Sequence, residues 1–186
     1  MSEAAGFDFA ALHEDIVVAA MAAFAEISAS QSDDPVRAFA LYSDSGAMTV
    51  CPAMATADYL RRIDSEYPGE RLYYRYSPSE WPLEGVGADE QFGRLCDRLR
   101  EHVFALEARD GGVAFADFKA RLMDTLVESA ESLRKRCFAG LGEDFVVLAT
   151  ISDDDEPAAE LNRRVARLNS PAIAAEFAAW SSGWRD

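Results

Sequence analysis

Apolar residues recur along this chain in two rhythms. Near the start, Leu12, Ile16, Ala20, Ala23, Phe24 and Ile27 fall at steps of three and four. That spacing puts them on one face of a helix, predicted from Phe9 to Ser28. A polar run to Asp34, closed by Pro35, ends it. Two short apolar runs follow, 36–42 and 47–51, joined by Ser43-Asp44-Ser45-Gly46. Paired runs around a Gly-containing polar turn predict a β-hairpin. Thr56 caps a short helix carrying Tyr59, Leu60 and Ile63, which Pro68-Gly69 stops. The aromatic run 71–77 predicts a third strand, and Pro78 and Pro82 forbid its continuation.

The second half is dominated by the helical rhythm. Asp89 opens a helix with Phe92, Leu95, Leu99, Val103 and Leu106 on one face, ended by Asp110-Gly111-Gly112. A long helix then carries Phe115, Phe118, Leu122, Leu126, Leu133 and Cys137 inward. Its last turns hold Arg134-Lys135-Arg136, where cations complement the helix dipole. The run 144–151 is continuously apolar from Phe145 and predicts a buried central strand. Pro157 opens a helix with Leu161, Val165 and Leu168. Ser170-Pro171 opens a last one with Ile173, Phe177, Trp180 and Trp184. The expectation is a single α+β domain over 1–186. Its mainly antiparallel sheet has about four strands (36–42, 47–51, 71–77, 144–151), packed with about six helices.

Charge narrows the classes of function. The chain has 33 Asp+Glu against 18 Lys+Arg, a net charge of −15. Nucleic acids and anionic membrane surfaces need a basic face, so neither is an expected partner. With 49% apolar and 11% aromatic residues, the chain is not an acidic disordered tail. The acidic start lacks the basic opening of a secretory signal, and no stretch reaches the roughly 18 uncharged apolar residues of a membrane span. Cys51, Cys96 and Cys137 are odd in number and far apart. They read as free, structural thiols in a reducing compartment, the cytoplasm.

Motifs for catalysis are scarce. His13 and His102 lie on different predicted helices with no further His or Cys at i+3 or i+4, which argues against zinc. There is no Gly-x-Ser-x-Gly elbow or Walker-type loop, and Gly85-Val86-Gly87 reads as a turn. No catalytic, metal or cofactor residues are assigned. Two features stand out as candidate interaction residues. Asp153, Asp154 and Asp155, with Glu156, follow the apolar strand, a position where ligand sites gather. They read either as carboxylates for a divalent cation or as a solvated turn charging the next helix N-terminus. Glu80 and Trp81 pair a carboxylate with a large ring, a combination suited to an interaction surface or to the closing of a core edge. Trp180 and Trp184 read as a packing stripe, with Trp184 available for a homodimer contact.

Four segments carry a likeness to a known family. They are RAFALYSDSGAMTVCPAMAT (37–56), YYRYSPSEWPLEG (73–85), VVLATISDDD (146–155) and LNS (168–170). Together they resemble the bacterial family catalogued as "domain of unknown function 4303", over Phe9 to Pro171, with Ser77 to Trp81 the most specific piece. The resemblance implies no reaction and therefore no catalytic residues. Small stand-alone bacterial families of this kind include immunity proteins encoded beside toxins, which is an analogy only. The expected function is a non-enzymatic interaction module, of immunity type, that binds a basic protein. The alternatives are an enzyme with an acid/base or metal site near Glu80 and Asp153, and a homodimeric structural module.

Overall fold

Odd and even residues of the first strand face two different cores, and the architecture follows from that. The computed structural model describes residues 6–110, 113–153 and 156–184. Helix α1 (Phe9–Ser30) leads into β1 (Val36–Ser43) and β2 (Cys51–Thr56). Helices α2 (Ala57–Glu66) and α3 (Arg71–Tyr76), a 3-10 turn (Pro78–Glu80) and the short β3 (Leu83–Glu84) come next. Helices α4 (Asp89–Asp110) and α5 (Val113–Arg136) precede β4 (Val146–Ile151), and α6 (Ala158–Leu168) and α7 (Pro171–Ser181) close the fold. The strand order is β3-β2-β1-β4. β1 pairs antiparallel with β2 and parallel with β4, while β3 runs antiparallel to β2. The fold is α+β with a mixed sheet.

One sheet face is large and aliphatic. Phe39, Leu41, Met54 and Val147 pack there against Leu12 and Ile16 of α1, Leu99 of α4 and Leu126 of α5. The opposite face is small. Ala38, Ala40, Ala53 and Ala55 leave room that Tyr59, Tyr76, Trp81 and Phe177 fill from the helices. Large rings fill the space above a floor of alanines. The helical residues read from periodicity are buried: Leu12, Ile16, Ala20, Ala23 and Ile27 on α1, and Phe118, Leu122, Leu126 and Leu133 on α5. The predicted caps also form, with Thr56 Oγ1 accepting from Tyr59 N at 3.4 Å and Ser170 Oγ from Ile173 N at 3.4 Å. Gly85 and Gly87 sit at positive φ in a turn, and a Cβ on Gly87 would meet Ala23 at 3.1 Å. Among the described residues no helix is long and apolar enough to cross a membrane.

Four expectations need correction. Run 71–77 is not a strand but α3, a seventh helix among the described residues. Its tyrosines favour strands only when a sheet edge is available, and here Tyr76 instead packs against Phe177 of α7, ring centroids 5.0 Å apart. The third strand is the two-residue β3. The second strand is 51–56, not 47–51. Asp44 Oδ1 accepts from Met48 N, Thr49 N and Thr49 Oγ1 at 2.9, 2.8 and 2.8 Å, so the segment before Cys51 becomes a built loop.

The fourth correction concerns β4, which is an edge strand and not a central one; it pairs parallel with β1, so the antiparallel pairing expected of the sheet holds for β3-β2-β1 and the sheet is mixed. Its continuous apolar run reflects cover on both faces. Val146 and Leu148 face the alanine side, Val147 and Ala149 the aliphatic side. With no strand beyond it, backbone groups at Phe145, Val147 and Ile151 are met by side chains. Asn169 Oδ1 accepts from Val147 N at 2.8 Å, and Asn169 Nδ2 donates to Val147 O at 2.7 Å, as a neighbouring strand would. Arg134 donates to Phe145 O at 2.7 Å, and Ile151 N donates to Glu156 Oε2 at 2.9 Å.

This predicts a large effect from one side chain. Asn169→Ala leaves both Val147 backbone groups without their partner, at about 1–3 kcal/mol for each buried unpaired group. The expected loss is ~2–4 kcal/mol in urea unfolding, with amide exchange of β4 accelerated ahead of β1.

Candidate interaction site

The segment Ser77 to Trp81 is fixed by inward contacts and displays what remains. Glu80 N donates to Ser77 O at 3.0 Å and Trp81 N to Pro78 O at 3.1 Å, closing the 3-10 turn. Trp81 is 2% exposed, and its Nε1 donates to Tyr74 O at 2.9 Å. It therefore belongs to the core and offers no surface to a partner. Tyr59 OH donates to Glu80 O at 2.9 Å and ties the turn to α2. Tyr76 OH donates to Glu176 Oε1 at 2.7 Å. Arg71 and Arg75 approach the same carboxylate at 3.7 and 3.4 Å, locking α3 onto α7.

What faces outward is aromatic and acidic. Tyr67 and Tyr73 are 45% and 44% exposed. Tyr74 lies between them, its ring centroid 5.2 Å from each. Tyr73 OH donates to Glu80 Oε1 at 2.9 Å. That hydrogen bond, followed by desolvation and the Glu80 charge, raises the Tyr73 pKa. Desolvation and then the charges of Glu70, Tyr67 and Glu80 raise that of Tyr74. Burial, then Glu80 and Tyr74, push Tyr59 up to about 12. Glu80 contributes to all three shifts, while Arg62, over the Tyr59 ring, opposes that of Tyr59.

Asp153 lies elsewhere. It is exposed after β4 and accepts from Ser45 N at 2.6 Å and Ser45 Oγ at 2.9 Å. The Ser45 amide, then the Ser45 hydroxyl, hold its carboxyl below the usual range. Its observed work is to tie the loop after β4 to the loop after β1. Asp154 and Asp155 lie outside the described residues. Glu156 turns inward, accepting from Thr150 Oγ1 at 2.8 Å and from Arg164 at 2.5 Å. Glu80 precedes β3 and Asp153 follows β4, on opposite edges and at opposite strand ends of the sheet. Three strand spacings alone separate those edges by ~14 Å. The two carboxylates are not brought together, so they do not form one acid/base site. Among the described residues no group of three or more His, Cys, Asp or Glu is placed to hold a metal ion.

The fold also makes groupings that sequence reading missed. His13 sits between α1 and α5, with Ser129 Oγ 3.1 Å from Nδ1 and Ser132 Oγ 3.4 Å from Nε2. Ser129 is fully buried, so this is a packing contact. His102 lies 4.8 Å from the rings of both Phe7 and Phe118. Trp184 packs edge-on to Trp180 at 4.7 Å while staying 38% exposed. Cys96 of α4 reaches Val50, its Sγ 3.4 Å from both N and O, next to Cys51. The cross-strand pair Tyr42 and Cys51 was readable only once β2 was placed correctly.

The class is thus an α+β domain with helices on both faces of a mixed sheet and a tyrosine–carboxylate patch beside one edge. The chain belongs to the family described as a domain of unknown function (DUF4303), whose model matches residues 16–170. The match contains the whole Ser77 to Trp81 segment and ends at Ser170, the N-cap of α7. Searches of the curated proteins and of the solved structures return no match.

Two outcomes follow from this geometry. Glu80→Gln should lower the ionisation midpoint of Tyr73, followed by ring NMR, with stability changed by less than about 0.5 kcal/mol as for other surface substitutions. Stability should also fall at alkaline pH. Tyr42, Tyr59 and Tyr76 are raised from 10.0, by burial first, then by Cys51 and Glu84, by Glu80, and by Glu176 respectively. The unfolded chain loses these protons from about pH 10 while the folded chain keeps them. The contribution is thus complete below pH ~10 and is lost as pH rises toward 12, to be read as a falling Tm.

Proposed function

We propose that this protein is a non-enzymatic interaction module that binds a basic protein partner through the patch formed by Tyr67, Tyr73, Tyr74, Glu70 and Glu80. The observation that carries the reading is the half-exposed Tyr73 hydrogen-bonded to the Glu80 carboxylate, with the Tyr74 and Tyr67 rings in contact beside it. Tyrosine supplies large contact area at little conformational cost, and its ring face attracts Lys and Arg. Carboxylates beside the rings select those same cations, and the net charge of −15 speeds their approach. An immunity-type role against a toxin with a basic, phosphate-holding site is the biological form we favour. A cytoplasmic setting is in keeping with three free cysteines.

The test uses lysine-rich and arginine-rich model peptides titrated into the intact protein. Affinity should fall with salt. It should drop at least tenfold (about 1.4 kcal/mol) in Glu70→Lys/Glu80→Lys. The control Asp117→Lys/Asp124→Lys, which makes the same charge change on exposed positions of α5, should weaken it far less. Equal losses in both variants would reduce the effect to net charge and remove the patch from the argument.

A further inference from the structure

Helices α5 and α6 pack side by side and leave a groove of about 610 Å³ between them. Its floor is apolar. Ala120, Met123 and Val127 of α5 fall at steps of three and four, so they share one stripe, and Ile151 adds the carboxyl end of β4. Met123 and Val127 are buried, while Ala120 is exposed and leaves the space that a longer side chain would fill. The rim is basic. Arg163, Arg164 and Arg167 of α6 and Lys119 of α5 stand there against two carboxylates, Asp124 and Glu160. Over the whole chain Asp and Glu outnumber Lys and Arg by 33 to 18. Among the described residues that line the groove, the balance is reversed.

We propose that this groove binds a small amphiphilic carboxylate, its head group on Arg163 and Arg167 and its apolar body along Ala120, Met123, Val127 and Ile151. The arginines differ in how they are held. Arg164 pairs with Glu156, their side chains 17% and 6% exposed, and closes the β4 edge. Arg163 pairs with Glu160 and Arg167 with Glu131, but these two arginine side chains are 70% and 47% exposed. Solvated pairs of that kind contribute little to stability, so both guanidiniums can turn to a ligand at small cost. They lie four residues apart on α6 and therefore on one face.

Floor and rim together select the ligand. A guanidinium presents a planar fork of donors that matches a carboxylate. An apolar body lying on the floor sheds water from around the head group, and the attraction strengthens as the local dielectric falls. A neutral amphiphile forgoes the ion pair, and a cationic one meets like charge. The volume is in the range of small-ligand sites, about 300–1,000 Å³. The groove is distinct from the tyrosine patch around Glu80, which favours cations. Its preference also opposes the net charge of −15, which draws cations to the rest of the surface.

The experiment titrates the intact protein with decanoate, decanol and decyltrimethylammonium by isothermal titration calorimetry, and follows the Met123 methyl by NMR. Decanoate should bind at one site, shift that methyl and bind about tenfold tighter than either of the others. Arg163→Gln/Arg167→Gln should weaken decanoate about tenfold, and Ala120→Leu, which fills the floor, should weaken it too. Arg94→Gln/Arg100→Gln removes the same charge from exposed positions of α4 and should leave binding unchanged. Decyltrimethylammonium binding as tightly as decanoate, equal losses in the two arginine pairs, or no Met123 shift in the unmutated chain would each overturn the inference. So would tighter binding of an acidic amphipathic helical peptide at the same methyl, which would assign the groove to a protein partner. The unmutated chain decides the question even if a variant folds poorly.

Discussion

The outer edge of β4 has to be satisfied without a fifth strand, and much of the fold is arranged around that need. A parallel strand at a sheet edge buries both faces and still leaves half its backbone groups pointing outward. Helices α5 and α6 pack against this strand. Asn169 answers with an amide that copies a peptide group, donating to and accepting from Val147. Asn169 Nδ2 also donates to Val165 O at 3.0 Å, so the same side chain terminates α6. Glu156 and Arg134 complete the edge at either end. Glu156 is itself held by Arg164, whose side chain is 17% exposed, so the edge is closed by a largely buried ion pair.

The two sheet faces divide the labour. On the aliphatic side, long helices meet long side chains, and α1, α4 and α5 form the bulk of the core. On the alanine side, the floor admits rings, and these rings belong to short elements: Tyr59 of α2, Tyr76 of α3, Trp81 beyond the turn and Phe177 of α7. Anchoring by Tyr76 and Trp81 is what lets a six-residue helix persist, since isolated short helices are marginal in water. The same anchors turn Tyr73 and Glu80 outward. The candidate interaction patch is thus a by-product of how the alanine floor is filled.

Much of this was legible in the chain. The helices α1, α4, α5, α6 and α7 follow from 3.6-residue periodicity, because each buries a single stripe whose spacing is local. Caps at Thr56 and Ser170 were legible for the same reason. The hairpin was legible in kind but not in register. Asp44 organises the loop through hydrogen bonds from Met48 and Thr49 that no hydrophobic pattern records. The run Leu72 to Tyr76 misled because aromatic content describes a half-buried surface and not a backbone state. Of the candidate site, Glu80 was visible as a carboxylate beside an aromatic run, whereas the sequence left Trp81 open between a surface anchor and the closing of a core edge, and its 2% exposure puts it in the core. The tyrosines beside Glu80 were read as a strand, so their shared outward face was hidden.

Properties that depend on neighbours along the chain were settled locally: the helical stripes, the caps, the acidic balance and the apolar character of β4. Properties that depend on contacts between distant residues were decided only by folding. The pairing of β4 with β1, the meeting of Asn169 with Val147, the contact of Cys96 with Val50 and the separation of Glu80 from Asp153 are of this kind. The physical reason is that side-chain spacing encodes which face is apolar, while strand order is set by how two unequal faces are covered at once. That competition involves every helix together and leaves no local mark in the sequence.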